Sequence, residues 1–445
     1  MRLVVVGGSD AGIAAALRAR EVEPKVAATV VLADAYPNYS ICGLPFYLSG
    51  EVDDWHRLAH RTEFDGIDLL ANHHARSLDT TEHTVEIVDA AGKSRTLTYD
   101  RLLMATGAEP VAPAIAGVQH PGVFFLHTMD DSFAIDGYLR ETECRKATII
   151  GSGYIGLEMA DALTFRGLAV SLIGRSASPL PTVDPRFGSL VEEELRRHGV
   201  RVLNATEVTS IDRVRRELVV SGGDLREASD LVIIASGVRP SSALATATGI
   251  RVGVAGAISV DRFMRTSARD VFAAGDCAET WHRVLERNVY LPLGTTAHKQ
   301  GRVAGENMVG GTRTFSGCVG TQVVKVFDLA IARTGLRDDE ARRAGFDPIT
   351  IESTAWDHKA YYPGAHELRI RVTGDRLSGR LLGAQIIGDW RAQVAKRIDV
   401  FATGLFHKMG VDELNDLDLS YTPPLGNPWD PVQVAAQAWS AGSRI

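Results

Sequence analysis

The chain has 445 residues, of which 45% are hydrophobic and 23% are charged, and its formal net charge is −7. This length is enough for about three domains with sizeable cores. The acidic balance excludes the basic surface that nucleic acid or an anionic membrane requires. No apolar run approaches the roughly 20 residues of a membrane span. We therefore expect a globular protein with neither a nucleic-acid nor a membrane partner.

The N-terminus and the cysteines predict the compartment. A strand-like run, MRLVVVGG, begins almost at residue 1, which leaves no room for a signal peptide. Cys42, Cys144, Cys277 and Cys318 are far apart and form no CxxC pair. That spacing argues against a disulfide scaffold or a zinc module. We expect a reducing cytoplasm and no bound metal.

The first predicted unit is a strand, a glycine-rich turn and an amphipathic helix over residues 2–20. The turn contains Gly7, Ser9 and Gly12, so a small serine stands where a dinucleotide-binding turn usually has its second glycine. Asp34, near the end of the next strand, is a candidate acceptor for ribose hydroxyls. A solvated strand-end aspartate is the alternative. The pattern predicts a first dinucleotide site.

The next segment, YPNYSICGLPFY at 36–47, contains a solitary cysteine, Cys42, among aromatics, glycine and proline. A free cysteine of this kind is either a packing residue or a thiol whose deprotonated form is a nucleophile. Composition alone favours packing, so the decision depends on the rest of the chain.

A second copy of the first unit follows in KATIIGSGYIGLEMADALTFRG, with Gly151, Gly153 and Gly156 in a GxGxxG turn between strand and helix. Such glycines permit a tight turn, close approach of a pyrophosphate and close packing of the helix on the strand. Each copy is followed later in the chain by a similar strand, at 99–110 for the first and at 229–240 for the second. A duplicated plan of this kind predicts two nucleotides in one mostly parallel α/β protein.

The second copy also indicates which nicotinamide nucleotide binds. The strand that should end in an NAD-selecting acid ends in Gly174, and Arg175 follows. A missing carboxylate together with an arginine favours the 2′-phosphate of NADPH. NADH is the alternative, with Arg175 as an ordinary surface arginine.

Taken together, these motifs resemble the flavoprotein pyridine nucleotide–disulfide reductases over essentially the whole chain. ATGAEP and ASGVRP resemble the two connectors of that family, and TSARDVFAAGDCAE resembles its second FAD motif, in which Asp276 would bond the ribityl chain. SICGLPFY resembles the single-cysteine branch, which includes coenzyme A disulfide reductases, persulfide reductases, NADH oxidases and NADH peroxidases. The resemblance implies a glutathione-reductase-like α/β fold, with two Rossmann-like dinucleotide-binding domains and a C-terminal α+β dimerisation domain.

The resemblance also implies domain limits and cofactors. A discontinuous FAD-binding domain would occupy 1–112 and 241–318, an NAD(P)H-binding domain 113–240, and a dimerisation domain 319–445. The implied cofactors are FAD and NADPH, or NADH. The expected cofactor-binding residues are Gly7, Ser9, Gly12, Asp34, Ala105, Thr106, Gly107, Gly151, Gly153, Tyr154, Ile155, Gly156, Glu158, Arg175, Gly237, Gly275, Asp276 and Ala297.

In this context Cys42 is the expected redox thiol. No second cysteine is near it, so a disulfide or an oxidised sulfur at Cys42 would involve an exogenous small thiol or oxygen. Tyr361, Tyr362 and Tyr421 lie in stretches resembling those that supply tyrosines to the active site of the partner subunit in a homodimer. A hydroxyl there can donate a proton to a departing thiolate. An aromatic at the dimer interface is the alternative for each tyrosine.

Residues around the expected site separate the activities of the branch. His298 matches a substrate contact of coenzyme A disulfide reductases, whereas Asp10 replaces a histidine of the oxidases and peroxidases. Arg18 and Arg20, on the first helix, would hold substrate phosphates. Ile41 departs from the coenzyme A pattern, which has asparagine before the cysteine.

The sequence therefore predicts NAD(P)H-dependent reduction of a low-molecular-weight disulfide or persulfide, and supports this chemistry better than it supports coenzyme A as the thiol. Two alternatives stay open. Oxygen or peroxide could be the acceptor, or the flavin could pass electrons to a protein partner.

Overall fold

The computed structural model describes residues 1–61 and 63–443, and three five-stranded sheets organise this part of the chain. Two of these sheets are parallel, and the C-terminal one is antiparallel. Within the described residues, no helix combines the length and the apolar character needed to cross a bilayer.

The N-terminal part contains the first parallel sheet. Its central strand is buried along Leu3–Val6, because a parallel sheet is covered on both faces. The first helix begins at an acidic residue, Asp10, which suits the positive end of the helix dipole. The elements are β1 (Arg2–Val6), α1 (Asp10–Val22), β2 (Ala27–Val31), α2 (Leu44–Ser49), β3 (Ile67–Leu70), β4 (His73–Asp79), β5 (Thr84–Asp89), β6 (Ser94–Thr98), β7 (Arg101–Met104) and β8 (Ala108–Pro110).

The middle part contains the second parallel sheet, in the order β12-β11-β10-β16-β9. A separate three-stranded antiparallel sheet, β13-β14-β15, flanks it. The elements are β9 (Val123–Phe125), α3 (Met129–Glu141), β10 (Lys146–Ile150), α4 (Tyr154–Phe165), β11 (Ala169–Ile173), α5 (Pro185–Arg197), β12 (Arg201–Leu203), β13 (Ser210–Val214), β14 (Glu217–Gly222), β15 (Leu225–Ser229), β16 (Leu231–Ile234) and β17 (Val238–Pro240).

The chain then returns to the first sheet. The next elements are α6 (Ala243–Ala247), β18 (Val271–Ala273), β19 (Thr280–His282), β20 (Arg287–Val289) and α7 (Gly294–Met308). β18 completes the order β18-β7-β1-β2-β3, and β17 pairs with β8 where the two domains meet. The second sheet is thus inserted between strands of the first.

The C-terminal domain is a five-stranded antiparallel sheet in the order β21-β22-β25-β24-β23. Its strands are β21 (Gln322–Val326), β22 (Leu329–Gly335), β23 (Pro348–Trp356), β24 (Glu367–Asp375) and β25 (Leu381–Asp389). Its helices are α8 (Asp338–Arg343), α9 (Val394–Phe406) and α10 (Pro431–Gly442). The predicted α/β architecture with a C-terminal α+β domain is confirmed.

Candidate active site

The two glycine turns have nearly the same backbone geometry. Gly7 has φ +121° and Gly151 has φ +118°, a region that side chains rarely adopt. A Cβ atom at Gly7 would lie 1.9 Å from the carbonyl oxygen of Ala105, and one at Gly151 would lie 2.2 Å from that of Ala235. Each turn is therefore pressed against the neighbouring strand of its own sheet, which requires glycine.

The third glycine of each turn packs the helix onto the turn. A Cβ atom at Gly12 or Gly156 would lie 1.9 or 1.8 Å from the carbonyl oxygen of the first glycine of its own turn. The middle position of the turn is glycine in one copy and serine in the other. A Cβ atom at Gly153 would meet nothing within 4 Å, and the Ser9 side chain makes no capping hydrogen bond to its helix. Both helix N-termini are thus accessible to the phosphates of a dinucleotide.

Two carboxylates of the first domain are available to a ribose or a ribityl chain. One oxygen of Asp34 accepts the Tyr36 N–H at 2.9 Å, and burial raises the pKa of Asp34. Burial and the neighbouring Asp10 raise the pKa of Asp276 to about 6. No hydrogen bond within residues 1–61 and 63–443 engages the Asp276 carboxylate. The residues present therefore fit a dinucleotide on the first turn.

The connectors and the second FAD-type motif lie beside these turns. Gly107 and Gly237 have positive φ and face open space, and the Thr106 hydroxyl donates to the Ser241 carbonyl at 2.5 Å. Gly275, with φ +83°, packs on α1, because a Cβ atom there would lie 2.8 Å from that of Ala11. Ala297 is buried on α7 next to the same glycine.

Gln300 is a site residue that sequence reasoning missed. Its side chain is fully buried, and its Oε1 accepts the Gly275 N–H at 2.8 Å. Its Nε2 donates to the Glu279 carbonyl at 3.0 Å and to the Thr280 hydroxyl. Gln300 thus holds the turn that carries Asp276. The available signal was a glutamine beside glycine on the inner face of α7.

Cys42 lies in a short 3₁₀ turn, Ile41–Gly43, directly before α2. Gly43 is closely packed, because a Cβ atom there would lie 2.5 Å from Leu58 Cδ2. Cys42 is the exposed cysteine of the four. Since α2 packs on α4, the thiol lies where the first domain meets the second.

The surroundings of Cys42 are acidic. Partial burial is the largest cause that raises the pKa of the Cys42 thiol. The carboxylates of Glu158, Asp10 and Asp276 raise this pKa further. Burial and the surrounding carboxylates therefore both oppose ionisation of the thiol, whose deprotonated form is the nucleophile.

Glu158 and Tyr154 both lie in the first turns of α4. Burial, with a smaller contribution from Asp161, raises the pKa of Glu158 to about 7. The Tyr154 hydroxyl donates to Gln322 Oε1 of the C-terminal domain at 2.7 Å. Ile155, next to Tyr154, is exposed.

Arg175 is exposed and carries no hydrogen bond or ion pair within the described residues. The glycine before it has a structural reason, because a Cβ atom at Gly174 would lie 2.3 Å from the Ser152 hydroxyl and 2.9 Å from its Cβ. Ser152 thus occupies the space that the side chain of an NAD-selecting acid at position 174 would need. The next position, which is exposed, carries the guanidinium of Arg175.

The two arginines of α1 are engaged elsewhere. Arg18 donates to Glu306 Oε2 at 2.7 Å and to Glu21 Oε2 at 2.9 Å. Arg20 donates to the Pro24 carbonyl at 2.6 Å, and its guanidinium covers Gly66. Arg20 therefore stabilises local structure, and neither arginine has a hydrogen bond to the Cys42 loop.

The three tyrosines of the C-terminal domain are exposed, at 74% for Tyr361, 42% for Tyr362 and 46% for Tyr421. Their two loops lie together, because the Lys359 ammonium is 5.9 Å from the Tyr421 ring and the Lys359 N–H donates to the Pro423 carbonyl. They form an aromatic surface on a domain other than that of Cys42.

His298 lies on α7, with its Nε2 3.3 Å from Asp10 Oδ1. His298, which is predicted to contact substrate, therefore lies beside Asp10, the position at which the sequence departs from the oxidases and peroxidases. Neither residue type by itself predicted the pairing, since the two positions are far apart in the chain.

Comparison with known families identifies the class. Residues 1–301 match the family model described as pyridine nucleotide-disulphide oxidoreductase, and residues 321–430 match the dimerisation domain of the same family. The chain belongs to the pyridine nucleotide-disulphide oxidoreductases. The predicted resemblance and enzyme class are therefore confirmed, and the C-terminal domain is of the dimerising type.

Individual relatives narrow the comparison. The NAD(P)H sulfur oxidoreductase (CoA-dependent) of Pyrococcus furiosus is 36% identical over 441 residues, which is 98% of each chain. Among solved structures, an NAD-dependent persulfide reductase from A. fulgidus has a TM-score of 0.96 at 36% identity, over 100% of this chain and 83% of that one.

An oxidase is similar at greater distance. An engineered water-forming NADPH oxidase, derived from the NADH oxidase of Lactobacillus brevis and bound to NADPH, has a TM-score of 0.95 at 27% identity, over 100% of this chain and 99% of that one. Three of its five substitutions are consecutive. They replace an aspartate by alanine and introduce arginine and then serine at the next two positions.

Proposed function

We propose that this protein is an NAD(P)H-dependent flavoprotein reductase of low-molecular-weight disulfides or persulfides, with Cys42 as its redox thiol. The observation that carries the proposal is the place of Cys42, an exposed cysteine directly before α2, which packs on α4 of the second domain. Asp276 of one domain and Glu158 of the other both raise its pKa. The relatives whose names include sulfur and persulfide reduction support the same chemistry.

FAD would be held by the first glycine turn with Asp34 and Asp276, and the nicotinamide nucleotide by the second turn. When bound, FAD supplies the transfer of electrons from the nicotinamide to sulfur. The protein's own role would be to position the Cys42 sulfur so that it can receive these electrons. With no second cysteine beside it, Cys42 forms a mixed disulfide with half of the substrate and expels the other half as a thiol. All four cysteines are free, which suits a reducing cytoplasm.

We assign Arg175 to the 2′-phosphate of NADPH. Arg175 and Ser176 repeat the arginine and serine introduced into the engineered oxidase, and Gly174 stands where that oxidase has the introduced alanine. The register agrees, since eighteen positions separate the replaced aspartate from a replaced glycine there, as they separate Gly174 from Gly156 here. An exposed arginine that makes no hydrogen bond or ion pair with the rest of the described chain can form charge-assisted bonds to phosphate.

The tyrosines of the C-terminal domain are assigned to the partner subunit's site. Tyr361, Tyr362 and Tyr421 are exposed on a domain of the dimerising type, so association of two chains would cover them. Tyr421 is the preferred proton donor, because a phenol can protonate a departing thiolate.

The proposed function can be tested by comparing turnover with different electron acceptors. Purified protein, before and after treatment with a thiol reagent, is supplied with NADPH and with coenzyme A disulfide, a persulfide, peroxide, oxygen or ferricyanide. We expect turnover with the disulfide or persulfide that the reagent abolishes, and ferricyanide reduction that persists. Turnover with ferricyanide alone would favour transfer to a protein partner instead, and turnover with peroxide or oxygen alone would favour an oxidase or peroxidase.

A further inference from the structure

Two loops of the C-terminal domain carry the three exposed tyrosines. The first tyrosine loop, 357–366, joins β23 to β24 and contains Tyr361 and Tyr362. The second tyrosine loop, 417–430, leads into α10 and contains Tyr421. Neither loop contains a helix or a strand. Their relative position therefore depends on contacts between the loops and on the side chains at their bases.

The two loops contact each other directly. The Lys359 N–H donates to the Pro423 carbonyl at 3.3 Å, and the Lys359 ammonium lies 5.9 Å from the centroid of the Tyr421 ring. The side-chain amide of Asn427 donates to the carbonyl of Trp356, the residue before the first tyrosine loop, at 2.8 Å. The three tyrosines therefore belong to one surface.

Each loop is closed at its base by one buried side chain. The Asp357 carboxylate accepts the His366 N–H at 2.8 Å, which joins the two ends of the first tyrosine loop. In the second tyrosine loop, Gln433 accepts the Asp430 N–H at 3.1 Å and donates to the Leu417 carbonyl at 2.9 Å. Asp357 and Gln433 are 7% and 5% exposed, so both bases are shielded from water.

Arg397 of α9 bonds to both bases. Its Nη2 donates to the Asp357 carbonyl at 2.6 Å, and its Nε donates to the Asp430 carboxylate at 3.3 Å. Its Nη1 donates to the Ala392 carbonyl, just before α9, at 2.8 Å. The guanidinium is a planar fork of fixed shape, so these bonds set the spacing between the two loops. Arg397 is 6% exposed and therefore acts on the loops from beneath, out of reach of a substrate.

We propose that Arg397 is a positioning residue for disulfide reduction, because it holds the two tyrosine loops in the arrangement that presents their hydroxyls to the partner subunit's site. This inference rests on the proposed function above. Arg397 neither contacts the sulfur nor donates the proton, and acts through the tyrosines of its own chain. Its loss therefore affects the site that contains the partner subunit's Cys42.

The buried charge indicates a role in geometry. Burying a guanidinium carries a desolvation cost that an apolar side chain of similar size would avoid. Arginine adds a fixed spacing between acceptors on two separate loops, which an apolar side chain cannot supply. Asp430 extends the link, because its other carboxylate oxygen accepts the Val432 N–H at 2.9 Å and caps α10. The second tyrosine loop is thus tied both to Arg397 and to a helix.

Substitution of Arg397 separates positioning from folding. Arg397→Lys keeps a positive charge for Asp430, but a single ammonium cannot reproduce the planar fork that spans both loops. NADPH should still reduce the flavin at the wild-type rate, because α9 belongs to the C-terminal domain. NADPH-dependent reduction of a small disulfide should fall by about 10²-fold, the cost that a misplacement of roughly 1 Å can have. Lys396→Met, at the exposed neighbour on the same helix, should change neither rate.

Mixed dimers give a readout that a general loss of structure would not give. An Arg397→Lys chain paired with a Cys42→Ser chain forms one site from its own intact Cys42 and the intact loops of the other chain. Disulfide reductase activity should then exceed the mean of the two parent homodimers. An Arg397→Lys chain paired with a Tyr421→Phe chain should show no such gain, since each site then contains a defective tyrosine loop.

Two results would overturn the inference. One is disulfide reduction by Arg397→Lys that stays at the wild-type rate or falls only in step with flavin reduction. The other is a mixed dimer with Cys42→Ser that is no more active than the mean. If Arg397→Lys yields no folded protein, Asn427→Ala, which removes the exposed bond between the loops, takes its place with the same expected directions. Failure of the proposed function is a separate result, since disulfide reduction would then survive Cys42→Ser.

Discussion

At the residue scale, the proposal assigns the choice of nucleotide to Arg175. Arg175→Glu removes a partner of the 2′-phosphate and adds repulsion. Charge-assisted hydrogen bonds contribute roughly 1.5–3 kcal/mol each, so we expect the ratio of kcat/KM for NADPH over NADH to fall about tenfold or more. Arg145→Glu, at an exposed arginine of the same domain, is the matched control. An unchanged ratio in Arg175→Glu would show that this residue does not select.

Glu158 gives a prediction for pH. Its pKa in the folded protein is about 7, above the ordinary value of 4.5. The folded state therefore holds the proton more tightly than the unfolded state, so the stability contributed by neutral Glu158 is present below pH 4.5 and is lost as pH rises through 7. Urea unfolding should show Glu158→Gln gaining stability relative to wild type at pH 8 but not at pH 4.5, with Glu193→Gln, at an exposed position, showing no such trend. A difference independent of pH would contradict the assigned pKa.

Single residues also show what a sequence can and cannot predict. Gly7 and Gly151 are local signals, because the pattern of strand, glycine turn and helix around each one predicts the tight turn that the structure has. The contact of Asp10 with His298 joins residues that only the packing of α1 on α7 brings together. Arg20 donates to the carbonyls of Pro24 and Val26, only four and six residues further along the chain. The arginine pattern of the first helix does not reveal even these short-range contacts.

At the scale of elements, the contact between α1 and α7 positions both the nucleotide turn and His298. Gly301→Ala would place a Cβ atom 2.3 Å from the Ala11 carbonyl oxygen. Overpacking of this kind costs about 1–3 kcal/mol, so urea unfolding should show a loss of that size. Gly137→Ala in α3 is the matched control, because its Cβ would meet nothing within 4 Å and alanine should be neutral or stabilising by roughly 0.5–1 kcal/mol. Equal effects of both variants would contradict the close helix contact.

The βαβ elements could be read from the sequence because strand, glycine turn and helix are contiguous there. The hydrogen bonds that connect distant elements could not be predicted from the sequence. Tyr154 of α4 bonds Gln322 of the C-terminal domain, and Gln300 of α7 holds the Gly275 turn. Both glutamines accept non-local hydrogen bonds, from a side-chain hydroxyl at Gln322 and from a backbone N–H at Gln300. A polar residue in the sequence gives no sign of which distant group will be its partner.

At the scale of the whole molecule, the proposal places tyrosines of one chain in the site of the other. Mixed dimers of a Cys42→Ser chain and a Tyr421→Phe chain test this directly. If Tyr421 serves the partner's site, one site of each mixed dimer has both intact residues. Disulfide reductase activity should then exceed the mean of the two parent homodimers. Activity equal to that mean would show that Tyr421 does not act across the dimer.

The central claim is that electrons from NAD(P)H leave the protein through Cys42. The most direct measurement compares wild type and Cys42→Ser in two assays on the same anaerobic sample, namely flavin reduction by NADPH and NADPH-dependent reduction of a small disulfide. Serine cannot form a mixed disulfide. We predict that Cys42→Ser retains flavin reduction at the wild-type rate and loses disulfide reduction by orders of magnitude. Disulfide reduction at the wild-type rate in Cys42→Ser would contradict the claim.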